Sequence, residues 1–196
     1  KIFFQILRHP GWALASLKLK GKLRFKNMEP YAPKNSSKPI STFIGEQLNG
    51  SLTWDYLSEI RSCWKGKLLL KGVLRASDAI KAVEVGVDGI VVSNHGGRQF
   101  DGNPASISVL PSVRQAVGAK FPLVFDSGIR SGLDILRALA LGANFVLVGR
   151  PFLYGIAAIG AEGGDHVAKI LKEEISNALV QIGAKNIPEL RQRLNL

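Results

Sequence analysis

The sequence predicts an α/β fold built on a parallel sheet, on two observations. From about residue 66 onward, short apolar runs alternate with longer segments whose apolar positions recur at helical spacing. The short runs are also apolar on both faces, as strands are when helices cover both sides of a sheet, and each crossover between them is then right-handed.

Each element follows from local pattern. Upstream of the alternation, Trp54 to Trp64 reads as an amphipathic helix. Leu68-Leu69-Leu70 is the first strand, followed by a helix from Ser77-Asp78 through Ala79, Ile80, Val83 and Val85. Gly86 ends that helix in the position glycine favours after a last turn. Gly89 to Val92 is the second strand, and its helix covers Ser106 to Val117, with Ile107, Leu110, Val113 and Val117 on one face. Pro122 to Phe125 is the third strand; its helix runs from Leu133 to Leu141 and stops at Gly142. Asn144 to Val148 is a fourth, buried strand, with a turn and the start of a helix after it. A long amphipathic helix from about Asp165 to Ile182 carries Val167, Ile170, Leu171, Ile175, Leu179 and Ile182 inward. Two closures fit this pattern: an open doubly wound sheet, or part of a (β/α)₈ barrel.

Composition narrows the class. At 196 residues, with 46% hydrophobic and 21% charged residues, the chain has room for one well-buried domain or two small ones. The single cysteine, Cys63, excludes an internal disulfide and a thiolate zinc cluster, so no metal site is expected; Cys63 itself is expected to be a packing residue. The opening Lys1-Ile2-Phe3-Phe4 runs straight into Gln5, Arg8 and His9, so no secretory signal is expected there. The apolar stretch from Phe145 to Ala161 is broken by Arg150-Pro151 and three glycines, which excludes it as a membrane span.

The net charge of +11 is uneven. Residues 1–38 hold nine lysines and arginines against the single Glu29, a net +8. These cations alternate with Trp12, Leu14, Leu17, Leu19, Leu23 and Phe25, a pattern suited to an anionic membrane surface. Nucleic-acid binding is another use of such a patch, and a solvated loop a third. Residues 20–50 read as irregular, with Pro30, Pro33, Pro39 and Asn35-Ser36-Ser37. The chain therefore divides into a basic amphipathic segment with an irregular loop, residues 1–50, and a strand–helix region, residues 51–196.

The chemistry collects at the carboxyl ends of the strands. The first strand ends in Lys71-Gly72, the second in Ser93-Asn94-His95-Gly96-Gly97-Arg98, the third in Asp126-Ser127-Gly128-Ile129-Arg130, and the fourth in Gly149-Arg150-Pro151. His95 can take a proton near neutral pH, and Arg98 can grip a carboxylate through two parallel hydrogen bonds. Gly128, Gly132 and Gly149 would let backbone N–H groups approach phosphate oxygens, with Arg130 and Arg150 neutralising them. Taken singly, each of these features also has a structural reading, such as a helix cap for Asp126. Together they describe a base, a carboxylate clamp and a phosphate site. No Walker pattern and no Gly-x-Gly-x-x-Gly follows a strand, so the common nucleotide-binding loops do not account for the phosphate site.

The motifs Leu69-Leu70-Lys71-Gly72, Ser93 to Gln99, Asp126 to Arg130 and Gly149-Arg150-Pro151 resemble, in this order, those of the FMN-dependent α-hydroxy-acid dehydrogenase and oxidase family. The resemblance covers roughly residues 66–185. Arg8-His9-Pro10-Gly11-Trp12 and the basic segment after it resemble the bacterial L-lactate and mandelate dehydrogenase branch. The resemblance implies a (β/α)₈ TIM barrel of which only the carboxyl-terminal four units are evident, a half-barrel preceded by the basic loop region. It implies FMN as cofactor, bound by Lys71, Ser93, Asp126, Ser127, Gly128, Ile129, Arg130, Gly149 and Arg150. Lys71 would lie near the flavin N1 and C2 carbonyl.

His95 resembles the active-site base and Arg98 the arginine on the substrate carboxylate. The implied reaction is oxidation of a lactate-like L-2-hydroxy acid to the 2-oxo acid, with His95 taking either the α-proton or the hydroxyl proton. The implied electron acceptor is a quinone or a cytochrome. The expected location is cytoplasmic, peripheral at the inner face of the membrane through residues 1–38; no nucleic-acid partner is expected, and a homo-oligomer is allowed. The four units not evident here would supply substrate tyrosines and the aspartate that orients the catalytic histidine. The chain is accordingly expected to be a carboxyl-terminal fragment, a truncated gene product or one piece of a larger enzyme. A non-catalytic remnant and a basic binding module are the alternatives.

Overall fold

The computed structural model describes residues 2–18, 25–32, 39–47 and 52–193. The described chain divides into two compact units, Lys1–Thr53 and Trp54–Leu196. Much of the basic segment, including Lys20, Lys22, Arg24, Lys34 and Lys38, lies outside the described residues.

The first unit contains helices α1 (Ile2–Arg8), α2 (Pro10–Lys18) and α3 (Ile40–Gln47), with a 3₁₀ turn at Glu29–Tyr31. Helix α3 corrects the expectation of an irregular segment through residue 50: Ile40, Phe43 and Ile44 recur at helical spacing, a pattern too short to separate from the surrounding prolines in the sequence. On α2, Trp12, Leu14 and Leu17 are exposed.

In the second unit, helix α4 (Trp54–Cys63) precedes four βα units: β1 (Leu69–Val73) and α5 (Ala76–Val85), β2 (Gly89–Val92) and α6 (Ser106–Val117), β3 (Leu123–Phe125) and α7 (Gly132–Ala140), β4 (Phe145–Val146) and α8 (Arg150–Ile159). Helices α9 (Gly163–Ile182) and α10 (Ile187–Arg193) close the chain. The strands form one sheet in the order β1-β2-β3-β4, every pair parallel. Gly86 ends α5 with φ 89°, in the left-handed conformation expected of it.

Pleating divides the sheet residues into two sets. Ile90, Val92, Leu123 and Phe125 face the helices and are almost fully buried, packing with Leu110 and Val113 of α6 and Ala79 and Ala82 of α5. Leu69, Phe145 and Leu147 take the other face and are exposed, Phe145 at 62%. The fourth strand is thus an edge strand, which corrects the expectation of a buried one. Its only strand partner among the described residues is β3. Cys63 is also exposed rather than packed. The inward stripe of α4 runs through Trp54, Leu57 and Arg61, and helical periodicity carries Cys63 to the opposite side.

At the amino ends of the strands, polar groups tie the layers together. Asp88 receives Arg61 Nη1 at 3.0 Å, Lys67 Nζ at 2.8 Å and the Leu68 N–H at 2.9 Å. Arg114 donates to the carbonyls of Gly142, Gly118 and Phe121 and to Asn144 Oδ1. In a barrel-type sheet this end stabilises and the opposite end carries chemistry.

Candidate active site

The register of β1 explains how Lys71 reaches the site. Leu69, Leu70 and Lys71 pair with Gly89, Ile90 and Val91, but Val73 pairs with Val92, leaving Gly72 as an extra residue with φ 99°. Glycine takes this conformation without a Cβ penalty, and the bulge allows Lys71 and the buried Val73 to occupy opposite faces.

Lys71 Nζ lies 2.8 Å from Asp126 Oδ2 at the end of β3 and donates to Ser93 Oγ at 2.7 Å at the end of β2. Ser93 is 1% exposed, and its hydroxyl donates to Asp126 Oδ1. Burial opposes ionisation of Asp126, but hydrogen bonds from Lys71, Ser93 and Ser127, with the lysine's charge, prevail and hold its pKa below the ordinary carboxylate value. Three sequentially distant loops are thereby fastened through one carboxylate.

The His95 turn is fixed by its backbone. His95 has φ 56°, and its N–H donates to Ser93 Oγ at 3.0 Å. The Gly96 N–H is shared between Asn94 Oδ1 at 3.0 Å and Ser127 Oγ at 3.1 Å. The Gly96 carbonyl accepts from Arg150 Nη2 at 2.5 Å. The Asn94 N–H donates to Ser106 Oγ, anchoring the turn on the first residue of α6. Arg98 follows as an exposed residue at the end of the short 3₁₀ turn.

These loops enclose an open cavity of about 290 Å³. Of the residues singled out in the sequence, Lys71, His95, Arg98, Asp126, Ser127, Gly128, Ile129, Arg130, Gly149 and Arg150 line it. Ser93 is not on the wall; it sits behind, bridging Lys71, Asp126 and His95. The sequence reading missed the apolar part of the wall, Leu147, Val148 and Leu153. The alternation Phe145, Leu147 beyond the core residues of β3 was the available signal.

The wall suits a phosphorylated, hydroxyl-bearing cofactor. A Cβ built on Gly128 or Gly149 would meet nothing within 4 Å, so a ligand can approach the backbone there. The two nearby helix starts differ. The α7 start is closed by a reciprocal Ser131–Asp134 capping box, and the Gly132 N–H donates to Glu174. The α8 start, Gly149-Arg150-Pro151, has no side-chain cap, and an uncapped helix N-terminus favours an anion. Asp126 uses three of its roughly four acceptor positions, which leaves one for a ligand hydroxyl.

Comparison with known proteins agrees with this geometry. The family model described as FMN-dependent dehydrogenase matches residues 1–195. The chain belongs to the FMN-dependent dehydrogenase family. Among its relatives in this family, an L-lactate oxidase of Nostoc sp. is 44% identical over 92% of this chain and 48% of its own length. The 2-Hydroxyacid oxidase 1 of Mus musculus is 41% identical over 90% of this chain and 50% of its own. An L-lactate dehydrogenase of Pseudomonas entomophila is 42% identical over 95% and 49%. A solved mandelate oxidase variant with a monooxide FMN adduct superposes with TM-score 0.68 at 40% identity, covering 74% of this chain and 46% of that one. The chain spans about half the length of the curated relatives it matches. A four-stranded parallel half of a (β/α)₈ barrel fits that proportion.

Proposed function

We propose that this chain is the FMN-phosphate and substrate-carboxylate half of an enzyme that oxidises an L-2-hydroxy acid to the 2-oxo acid. The observation carrying the reading is the convergence of Lys71, His95 with Arg98, Asp126 and Arg150, one set from each of four strand ends, on a single cavity. Gly128, Arg130, Gly149 and Arg150 would hold the phosphate, and Lys71 with Asp126 the hydroxyl-bearing and polar ring portions. FMN, when bound, supplies the acceptor for two electrons.

The oxidation removes two electrons and two protons from the hydroxy acid. His95 takes one of those protons on its imidazole, either from Cα or from the hydroxyl. Arg98 fixes the carboxylate through paired N–H donors and so orients the Cα–H bond. Lys71 places positive charge on the wall, where negative charge developing during oxidation is stabilised. Electrons then leave to a quinone or cytochrome at the inner face of the cytoplasmic membrane. The support for a membrane location is the +8 charge of residues 1–38 together with exposed Trp12, Leu14 and Leu17. No helix among the described residues is long and apolar enough to cross a membrane.

The test adds FMN to the purified chain, with and without the amino-terminal half of a relative. Bound-flavin absorbance bleached by L-lactate or a related acid is expected. His95→Ala should retain flavin and lose bleaching, and Arg98→Met should raise the substrate requirement far more than it lowers flavin content. Absence of flavin binding under both conditions overturns the reading. Flavin binding without bleaching by any hydroxy acid instead supports a non-catalytic remnant. Co-sedimentation with anionic vesicles, against retention on DNA, tests the membrane assignment.

A further inference from the structure

His95 and Ser127 are the two non-glycine residues with a left-handed backbone among those described, at φ 56° and 84°. Such conformations persist in non-glycine residues where surrounding contacts enforce them, and they cluster at functional sites. Here the two are coupled. The Ser127 hydroxyl donates its one proton to Asp126 Oδ1 at 2.7 Å and accepts the Gly96 N–H at 3.1 Å. Ser93 repeats the arrangement one residue earlier: its hydroxyl donates to the same Asp126 Oδ1 and accepts the His95 N–H at 3.0 Å. Two serine hydroxyls thus carry one carboxylate's grip to two successive backbone amides, those of His95 and of the residue after it.

We propose that Ser127 is a positioning residue for His95: it latches the His95–Gly96 turn to the end of β3 and does not serve as a hydroxyl donor to the cofactor. Its donor is spent on Asp126, so the hydroxyl has no proton left to offer a ligand in this arrangement. Released from the latch, the turn can relax toward ordinary backbone angles, and the imidazole then leaves the position it holds on the cavity wall. The meaning of this for catalysis rests on the function proposed above. The latch itself is a property of the chain without cofactor.

The experiment compares Ser127→Ala and Ser127→Gly with the parent 196-residue chain by amide hydrogen exchange without FMN, then by FMN titration. Both variants remove the hydroxyl, and the glycine variant also relieves the left-handed strain, so it remains foldable if the alanine variant is not. Exchange at Gly96 is expected to rise about threefold to tenfold, since one of two shared acceptors is lost, with His95 following and Ile90 and Val92 unchanged. FMN affinity is expected to change less than threefold, and the rate of flavin bleaching to fall more than the substrate requirement rises. Unchanged exchange at Gly96 in the glycine variant overturns the proposal, with or without a loss of FMN affinity. Faster exchange spread equally over Ile90 and Val92 also overturns it, as a general loss of stability. If the chain binds no FMN even with the amino-terminal half of a relative supplied, the functional reading fails while the exchange result still decides the latch.

Discussion

Replacing Lys71 by Met tests the electrostatic centre of the site most directly, because it keeps length and apolar stem while deleting the cation 2.8 Å from Asp126 Oδ2. At an effective dielectric of 20, two unit charges at that distance attract by about 6 kcal/mol. Lys71 is 46% exposed on its side chain, so solvent screens the pair well below that figure. Asp126 is only 18% exposed, which keeps the coupling above the surface-pair range. A coupling of about 1–2 kcal/mol follows. It is read from a double-mutant cycle of Lys71→Met, Asp126→Asn and the double variant, by urea unfolding at pH 7.

The sign of its pH dependence is fixed. Asp126 has a folded pKa below its unfolded value, so its contribution is complete above the unfolded value and disappears as pH falls through the folded one. Without Lys71 the desolvated carboxylate protonates more readily. The stability gap between parent and Lys71→Met should therefore be full at pH 7 and close as pH falls through the carboxylate range. A coupling below about 0.3 kcal/mol, or a gap of equal size at both ends of that range, would refute the reasoning.

Three further outcomes are expected from the opposite end of the sheet and from helix packing. Arg114→Met should cost about 2–4 kcal/mol in chemical denaturation, because it strands the Gly142 and Phe121 carbonyls that the guanidinium satisfies near the strand starts. Gly163→Ala should cost about 1–3 kcal/mol, since the new Cβ would lie 2.2 Å from the Gly155 carbonyl carbon where α8 and α9 meet. Asp88 has a pKa of about 2, held down by Lys67, the Leu68 N–H and Arg61 against some burial. Its stabilisation is present above about pH 4 and lost as pH falls through about 2, so Asp88→Asn should lower Tm at neutral pH and converge on the parent only below about pH 2.

The sequence made the elements and the rim legible for a physical reason: both are written in local pattern. Gly89–Val92 and Ser106–Val117 appear with the boundaries implied by their apolar runs and by Gly118 after the helix. The rim residues were recognisable because parallel strands all end on the same side, so any polar residue just past an apolar run must share a face with the others. What could not be read depends on register and on partners distant in sequence. The bulge at Gly72 is invisible until Lys71 pairs with Val91 and Val73 with Val92. Arg114 looks like any polar position on α6, and only folding surrounds it with carbonyls of the strand-three and strand-four connections. Asp126 shows the same limit within the site. The family resemblance assigned it to the cofactor, yet most of its bonding capacity goes to Lys71, Ser93 and Ser127. A cavity built on four strand ends needs groups that hold them to one another before any ligand arrives, and a single carboxylate can accept enough hydrogen bonds to join three of them. In this chain the carboxylate at the carboxyl end of β3 does so, and the ligand-binding role proposed for its neighbours rests on that prior fastening.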